Sequence, residues 1–271
     1  MIIISNRPGQ LGNLIFVYAN FLAYGFENRV TIYNPAFYEC RSYFSGSSSF
    51  SGSKLFYRFC FFISRVLFKL KIRTGFITVI ALDWGTTFDL ENAPQLKSTF
   101  CFVQGWLFRS NKLLIKHKQK IVDFFTPTEF FKNKLDDFFV QFNKNETVIG
   151  IHIRHGDYKT FEDGKYFYSV EQYLEIIKKL ALLFENKTPH FVICSNEKIN
   201  LSVQDTKVLK ITYAPGHELL DMYCLANCNY IAGPPSTYSM WASFYGNVPL
   251  YMIHDVNKSI ETHDFKINLS S

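Results

Sequence analysis

What this 271-residue chain lacks narrows its class before any motif is read. Charges break every apolar stretch before it reaches bilayer-crossing length, so no helical membrane span is expected. The opening residues, MIIISNRPGQLG, hold an apolar run too short for a signal-peptide core and carry no basic leader. The six cysteines (Cys40, Cys60, Cys101, Cys194, Cys224 and Cys228) are scattered, and Cys224 with Cys228 has no matching second pair, so a zinc site is not expected. These absences point to a cytoplasmic protein with reduced thiols. A phosphate-binding loop ending in GK[ST] is missing, and GQLGN at 9–13 lacks the third glycine of the dinucleotide fingerprint. Acidic residues are also missing from 54–73, KLFYRFCFFISRVLFKLKIR, while the net charge is +6, so this one segment holds most of the excess and the remainder is nearly neutral. Positive charge confined in this way does not make a general nucleic-acid footprint.

What is present is apolar and aromatic: 48% hydrophobic residues, with 29 Phe and 16 Tyr, enough for the core of one large domain or two modest ones. IIIS, NRPGQLGN and LIFVYANFLAYGF read as strand, glycine-bearing turn and helix, and RVTIYN as the next strand, which is the opening of a βαβ unit. Residues 45–53, SGSSSFSGS, read as a Gly/Ser linker or loop. As a helix, 54–73 places Lys54, Arg58, Arg65, Lys69 and Arg73 within one quadrant, a pattern that fits either an anionic membrane surface or a core-packing helix with a solvated basic face. Residues 111–142 read as helical with a break at Thr126-Pro127, and NKNET as a hinge. From about residue 146 strands and helices alternate regularly, which specifies a second parallel α/β domain. The expected domains are 1–145 and 146–271.

Residues 148–161, VIGIHIRHGDYKTF, are a β-branched strand that ends abruptly in polar groups. SNE at 195–197 and GPPSTYS at 233–239 follow two further strands, and in a parallel sheet all three exits lie on the edge where ligands bind. Arg154 can give paired hydrogen bonds to a diphosphate, or form a salt bridge with Asp157. Asp157 is equally read as a turn residue, and His152 as a buried structural histidine. Ser236 and Thr237 precede a helix and can hold an anion or simply cap it. Glu197 can accept from the N–H edge of a purine. Asn13 stands at the start of the first helix, after glycines that let backbone approach a ligand.

These segments together resemble the family 11 glycosyltransferases, the α-1,2-fucosyltransferase family. GQLGNLIFVYA at 9–19 is similar to GxLGNQMFQYA, IHIRHGDY at 151–158 to HxRRGDY, SNE to SND, and DMYCLANCNYIAGPPSTYSMWAS at 221–243 to DMxLMSxCxxxIxxNSTFSWWAA. The resemblance covers about residues 5–253 and implies a GT-B-like α/β fold, two Rossmann-like doubly wound domains facing across a cleft, with no metal required. It implies inverting transfer of L-fucose from GDP-fucose to a hydroxyl of a glycan or lipid-linked oligosaccharide, in surface polysaccharide synthesis. The alternatives are transfer of another 6-deoxyhexose from its GDP-sugar, or an inactive GDP- or glycan-binding relic. Arg154 would bind the diphosphate, His152 and Asp157 shape its pocket, Glu197 lie near guanine, Ser236 with Thr237 cap phosphate or sugar, and Asn13 face the reacting centre. His155 replaces the second Arg of the motif, Leu14 a Gln, Glu197 an Asp, and Pro234-Pro235 the residues before STFS. Peripheral attachment at the inner membrane face through 54–73 completes the expectation.

Overall fold

In the computed structural model, residues 1–47, 53–70, 76–97, 99–199 and 209–267 are described. The amino-terminal run of three isoleucines forms β1, Ile2–Ile4, wholly buried. Gly9, at φ +89, then turns the chain into α1, Leu11–Asn28. This helix is apolar on nearly every side, and its buried residues run from Leu11 to Gly25 with only Asn13 half-buried. Gly25 is required where α1 meets the next strand, since a Cβ there would lie 2.7 Å from both Ile32 and the Val30 carbonyl. The elements that follow are β2 (Ile32–Tyr33), α2 (Lys54–Lys69), β3 (Ile77–Ala81), β4 (Phe88–Asp89), β5 (Phe100–Gln104), β6 (Phe108–Arg109), α3 (Asn111–Lys116) and α4 (Lys118–Phe124). The first four-stranded sheet has the order β2-β1-β5-β3 and is parallel throughout, with β4 and β6 paired separately.

The strands at 76–109 carry no alternation strong enough to be read beforehand, and β3 is half-buried along most of its length. The helical stretch expected at 111–142 is three short helices rather than two, because His117 leaves helical geometry at φ −106, ψ 17 between α3 and α4. The third, α5, is Glu129–Phe139.

The remaining elements are β7 (Thr147–Ile153), α6 (Val170–Leu183), β8 (Pro189–Ser195), β9 (Ile211–Tyr213), α7 (Glu218–Ala226), β10 (Tyr230–Gly233), α8 (Thr237–Gly246) and β11 (Leu250–Met252). Every one of them lies where the alternating pattern places it. They form a parallel sheet of order β11-β10-β7-β8-β9, with β7 at its centre. α6 begins in a capping box: Ser169 accepts from Gln172 N, and the Gln172 side chain accepts from Ser169 N. Two glycines let helices approach closely. A Cβ on Gly150 would lie 2.5 Å from Leu225, and one on Gly246 would lie 1.9 Å from the Ala226 carbonyl.

The chain divides into two compact units, Met1–Glu129 and Phe130–Ser271. The sequence reading put the division at 145/146. Most of α5 belongs with the second unit because its aromatic residues meet that unit's histidines: Phe131 lies 5.3 Å from the His217 ring, and Phe142, just beyond the helix, 4.7 Å from the His190 ring.

Candidate active site

The second sheet brings its polar residues to the carboxyl ends of the central strands. β7 runs Thr147–Ile153, with its last six residues buried, and then exits at Arg154. Beside it β8 exits at Ser195, in register with Ile153. Asn196 brackets the backbone between them: its Oδ1 accepts from His155 N at 2.9 Å, and its Nδ2 donates to the His155 carbonyl at 3.3 Å. Gly156 follows at φ +62, where an added Cβ would stand 2.9 Å from Asn196 Nδ2. On the other side of β7, the β10 exit is tied in by Tyr158, whose hydroxyl donates to the Pro235 carbonyl at 2.6 Å. Three exits far apart in sequence are thus joined by specific hydrogen bonds, as the parallel-sheet argument requires.

Arg154 Nη2 donates to Asp157, 2.9 Å from Oδ1 and 3.0 Å from Oδ2, and its guanidinium carbon lies 5.4 Å from the Tyr158 ring centre. The salt-bridge reading of Arg154 and Asp157 is therefore realised, in a place where the guanidinium is mostly covered and the carboxylate mostly exposed. His152 is buried and stacks on Tyr238 with ring centres 4.9 Å apart, and its Nδ1 has no hydrogen-bond partner. Burial, reinforced by the positive charge of Arg154, pulls its imidazole down to about 3, so the ring is neutral throughout the physiological range. His155, which occupies the position of the second motif arginine, is buried; one ring nitrogen, Nε2, meets the Tyr168 carbonyl at 2.8 Å and the other, Nδ1, lies 3.8 Å from Glu197. Ser236 caps α8, its hydroxyl oxygen accepting from Tyr238 N at 3.3 Å, and Thr237 is the first residue of that helix.

A cavity of about 690 Å³ opens beside this cluster, lined by Ile193, Ser195, Asn196, Glu197, Lys198, Ile199, Tyr213, Ala214, Gly216 and Asp221. Asn13 belongs to the first unit, in the first turn of α1 with its Nδ2 close to Gly9. Two residues of the second-unit site escaped the sequence reading. Asn196 lay inside the SNE segment, but a neutral amide carries no charge signal. Asp221 lay in the segment DMYC, and a carboxylate set between Leu220 and Met222 in a mostly apolar helix was the available clue. Asp221 is buried and its Oδ1 accepts from Gly216 N at 2.9 Å and His217 N at 3.3 Å. Burial outweighs those hydrogen bonds and raises its carboxyl from 3.8 to about 6. Among the described residues no three His, Cys, Asp or Glu side chains are grouped as metal ligands.

Two units built on parallel sheets, one of them gathering polar strand exits beside a nucleotide-sized cavity, define a GT-B-like α/β protein and agree with the fold of solved sugar-transferring enzymes. The chain is similar to FUT1 of Arabidopsis thaliana in complex with GDP, with a TM-score of 0.65 and 13% identity, over 93% of this chain and 70% of that one. It is similar to the NodZ alpha-1,6-fucosyltransferase of Bradyrhizobium soaked with GDP-fucose, with a TM-score of 0.59 and 15% identity over 93% and 94% of the two chains. It is also similar to POFUT1 in complex with GDP, with a TM-score of 0.57 and 10% identity over 90% and 93%. No curated protein matches the sequence. The family model for glycosyl transferase family 11 matches residues 110–265, more than half of the chain. The protein belongs to that family and is a glycosyltransferase.

Proposed function

We propose that the protein transfers L-fucose from GDP-fucose to a hydroxyl of a glycan or lipid-linked oligosaccharide, with inversion and in α-1,2 linkage, in the synthesis of a surface polysaccharide. The observation that carries this reading is the joining of three strand exits, by Asn196 and by Tyr158, beside the 690 Å³ cavity. That volume lies in the usual range for small-molecule and cofactor sites. Two carboxylates, Glu197 and Asp221, line it. The N1–H and amino group of guanine donate hydrogen bonds that such groups accept, whereas adenine offers an acceptor at N1, so the lining favours guanine. The GDP complexes of FUT1 and POFUT1, and the NodZ crystal soaked with GDP-fucose, support the same donor class.

In the reaction the anomeric carbon gains oxocarbenium character while negative charge collects on the departing diphosphate. Arg154 and the start of α8 at Ser236 and Thr237 stabilise that charge, the first by a planar fork of donors and the second by backbone N–H groups. Asp157 holds the guanidinium in place, and His152 presents its neutral ring behind it. No metal takes part in this scheme.

A thermal-shift panel of GDP, GMP, ADP and UDP, followed by GDP release from GDP-fucose and other GDP-6-deoxyhexoses, tests the reading. Selective stabilisation by GDP with fucose transfer, and an α-1,2 product by NMR, is the expected outcome. Stabilisation by UDP or ADP instead would reject the donor. GDP binding without hydrolysis or transfer of any donor would mark an inactive relic, and turnover of only another GDP-6-deoxyhexose would replace fucose.

A further inference from the structure

α2 does not divide into the two faces its sequence suggests; it has three. With about 100° between successive residues, Cys60, Ile63, Ser64 and Leu67 share one side. Cys60, Ile63 and Leu67 pack on Ile3, Val79 and Phe102 of the first sheet, and the Ser64 hydroxyl oxygen accepts from Gln104 Nε2 at 2.6 Å. Phe56 and Tyr57, flanking that side, meet Tyr33 and Tyr38 with ring centres 5.5 and 5.8 Å apart, and together these contacts meet the core requirement of the helix.

Leu55, Phe59, Phe62, Val66 and Leu70 lie together on a second side, about 120° round the helix from the first. All five are exposed, Phe59 at 59% and Phe62 at 67%. Lys54, Arg58, Arg65 and Lys69 form a third stripe directly beside them, also exposed. Among the described residues none of these four makes an ion pair with a carboxylate, and the sequence has no acidic residue between Glu39 and Asp83. Single exposed apolar side chains are ordinary, but a continuous row along a 16-residue helix is not. Lys71 and Arg73 lie outside the described residues.

We infer that the exposed apolar and basic stripes of α2 dock the protein on an anionic lipid surface. Such a surface offers what the two stripes require in the right order: an apolar layer for Phe59 and Phe62, and anionic headgroups just above it for Arg58 and Arg65. A second copy of the chain fits less well, since a two-fold pairing of the apolar rows would bring two unneutralised basic stripes together. The helix lies on the membrane and does not cross it; among the described residues no helix is long and apolar enough for that. The inference stands apart from the choice of donor.

The test is sedimentation of the intact protein with vesicles, either zwitterionic phosphatidylcholine or the same lipid with phosphatidylglycerol, at low and high salt. Binding to the anionic vesicles, weakened by salt, is expected. Arg58→Glu with Arg65→Glu should weaken it by about 30-fold or more, at about fivefold for each basic residue lost. Phe59→Ser with Phe62→Ser should release the protein while leaving its melting temperature and its turnover of a soluble acceptor unchanged, which keeps the test valid if the charge-reversal variant fails to fold. No binding to anionic vesicles at low salt, binding indifferent to both double variants, or a dimer in light scattering that Phe59→Ser with Phe62→Ser dissolves, each overturns the proposal.

Discussion

Replacing Asp221 by Asn should make the protein more stable at neutral pH and a poorer binder of GDP. Asp221 is only 6% exposed, and burial raises its carboxyl from 3.8 to about 6. In the unfolded chain it loses its proton near pH 4, whereas in the folded protein it holds it until about pH 6. A carboxyl with a raised folded value therefore removes stability as pH climbs from about 4 to about 6, and the loss stays constant above that. The interval between 3.8 and about 6 corresponds to about 3 kcal/mol, at about 1.4 kcal/mol per tenfold change in proton affinity. Asparagine keeps an acceptor for Gly216 N and His217 N but not the charge that strengthens those bonds, so the net gain above pH 7 is about 1–3 kcal/mol. The assay is urea unfolding of both proteins from pH 4 to 8, taking the difference at each pH so that other titrating groups cancel. The difference should grow in favour of the variant across pH 4–6 and then level off. A flat difference, or one that shrinks as pH rises, refutes the argument. Under the proposed function the same variant loses an acceptor for guanine, and calorimetry should show weaker GDP binding at pH 7.5.

Other substitutions probe the rim and the packing. Arg154→Ala should lower kcat/KM for the GDP-sugar by a factor corresponding to about 2–5 kcal/mol, and Arg154→Lys should recover only part of it because a single ammonium cannot give paired bonds; near-normal turnover in the Ala variant rejects its role. Gly156→Ala forces alanine into φ +62 against Asn196, at a cost of about 1–2 kcal/mol seen as a lower melting temperature, with weaker GDP binding because the bracket on His155 is disturbed. Gly246→Ala drives a methyl group to 1.9 Å from the Ala226 carbonyl, which is backbone and cannot swing aside, so a loss of about 3 kcal/mol or more is expected in urea unfolding.

How much of this could be read from the sequence differs between the halves. In the second unit the two longest strands are β-branched runs closed by turn residues, TVIGIHI and PHFVICS, and α6 and α8 open at the recognisable caps Ser169 and Ser236. Position at a strand exit was enough to mark Arg154, Glu197 and Ser236, because parallel topology turns local sequence into spatial proximity. The first unit resisted: β4 and β6 are two residues long, and FCFVQ in β5 has no clear period. Side-chain bonds were the least legible. Nothing local told that Asn196 would bracket His155, that His155 would be buried against the Tyr168 carbonyl, or that α2 would satisfy the core with one side and its flanks and leave a second apolar row uncovered.

The central place of β7 has a bearing on how the protein is made. Its two neighbours, β8 and β10, arrive from far along the chain, and the pairing of Ile149 with Tyr230 spans some eighty residues. A nascent polypeptide emerging from the ribosome cannot join the β7 exit to the β10 exit until Tyr230–Gly233 and Pro235 have been synthesised. Under the proposed function, prematurely terminated fragments should for that reason be inert toward donor sugar, however well their earlier portions are folded.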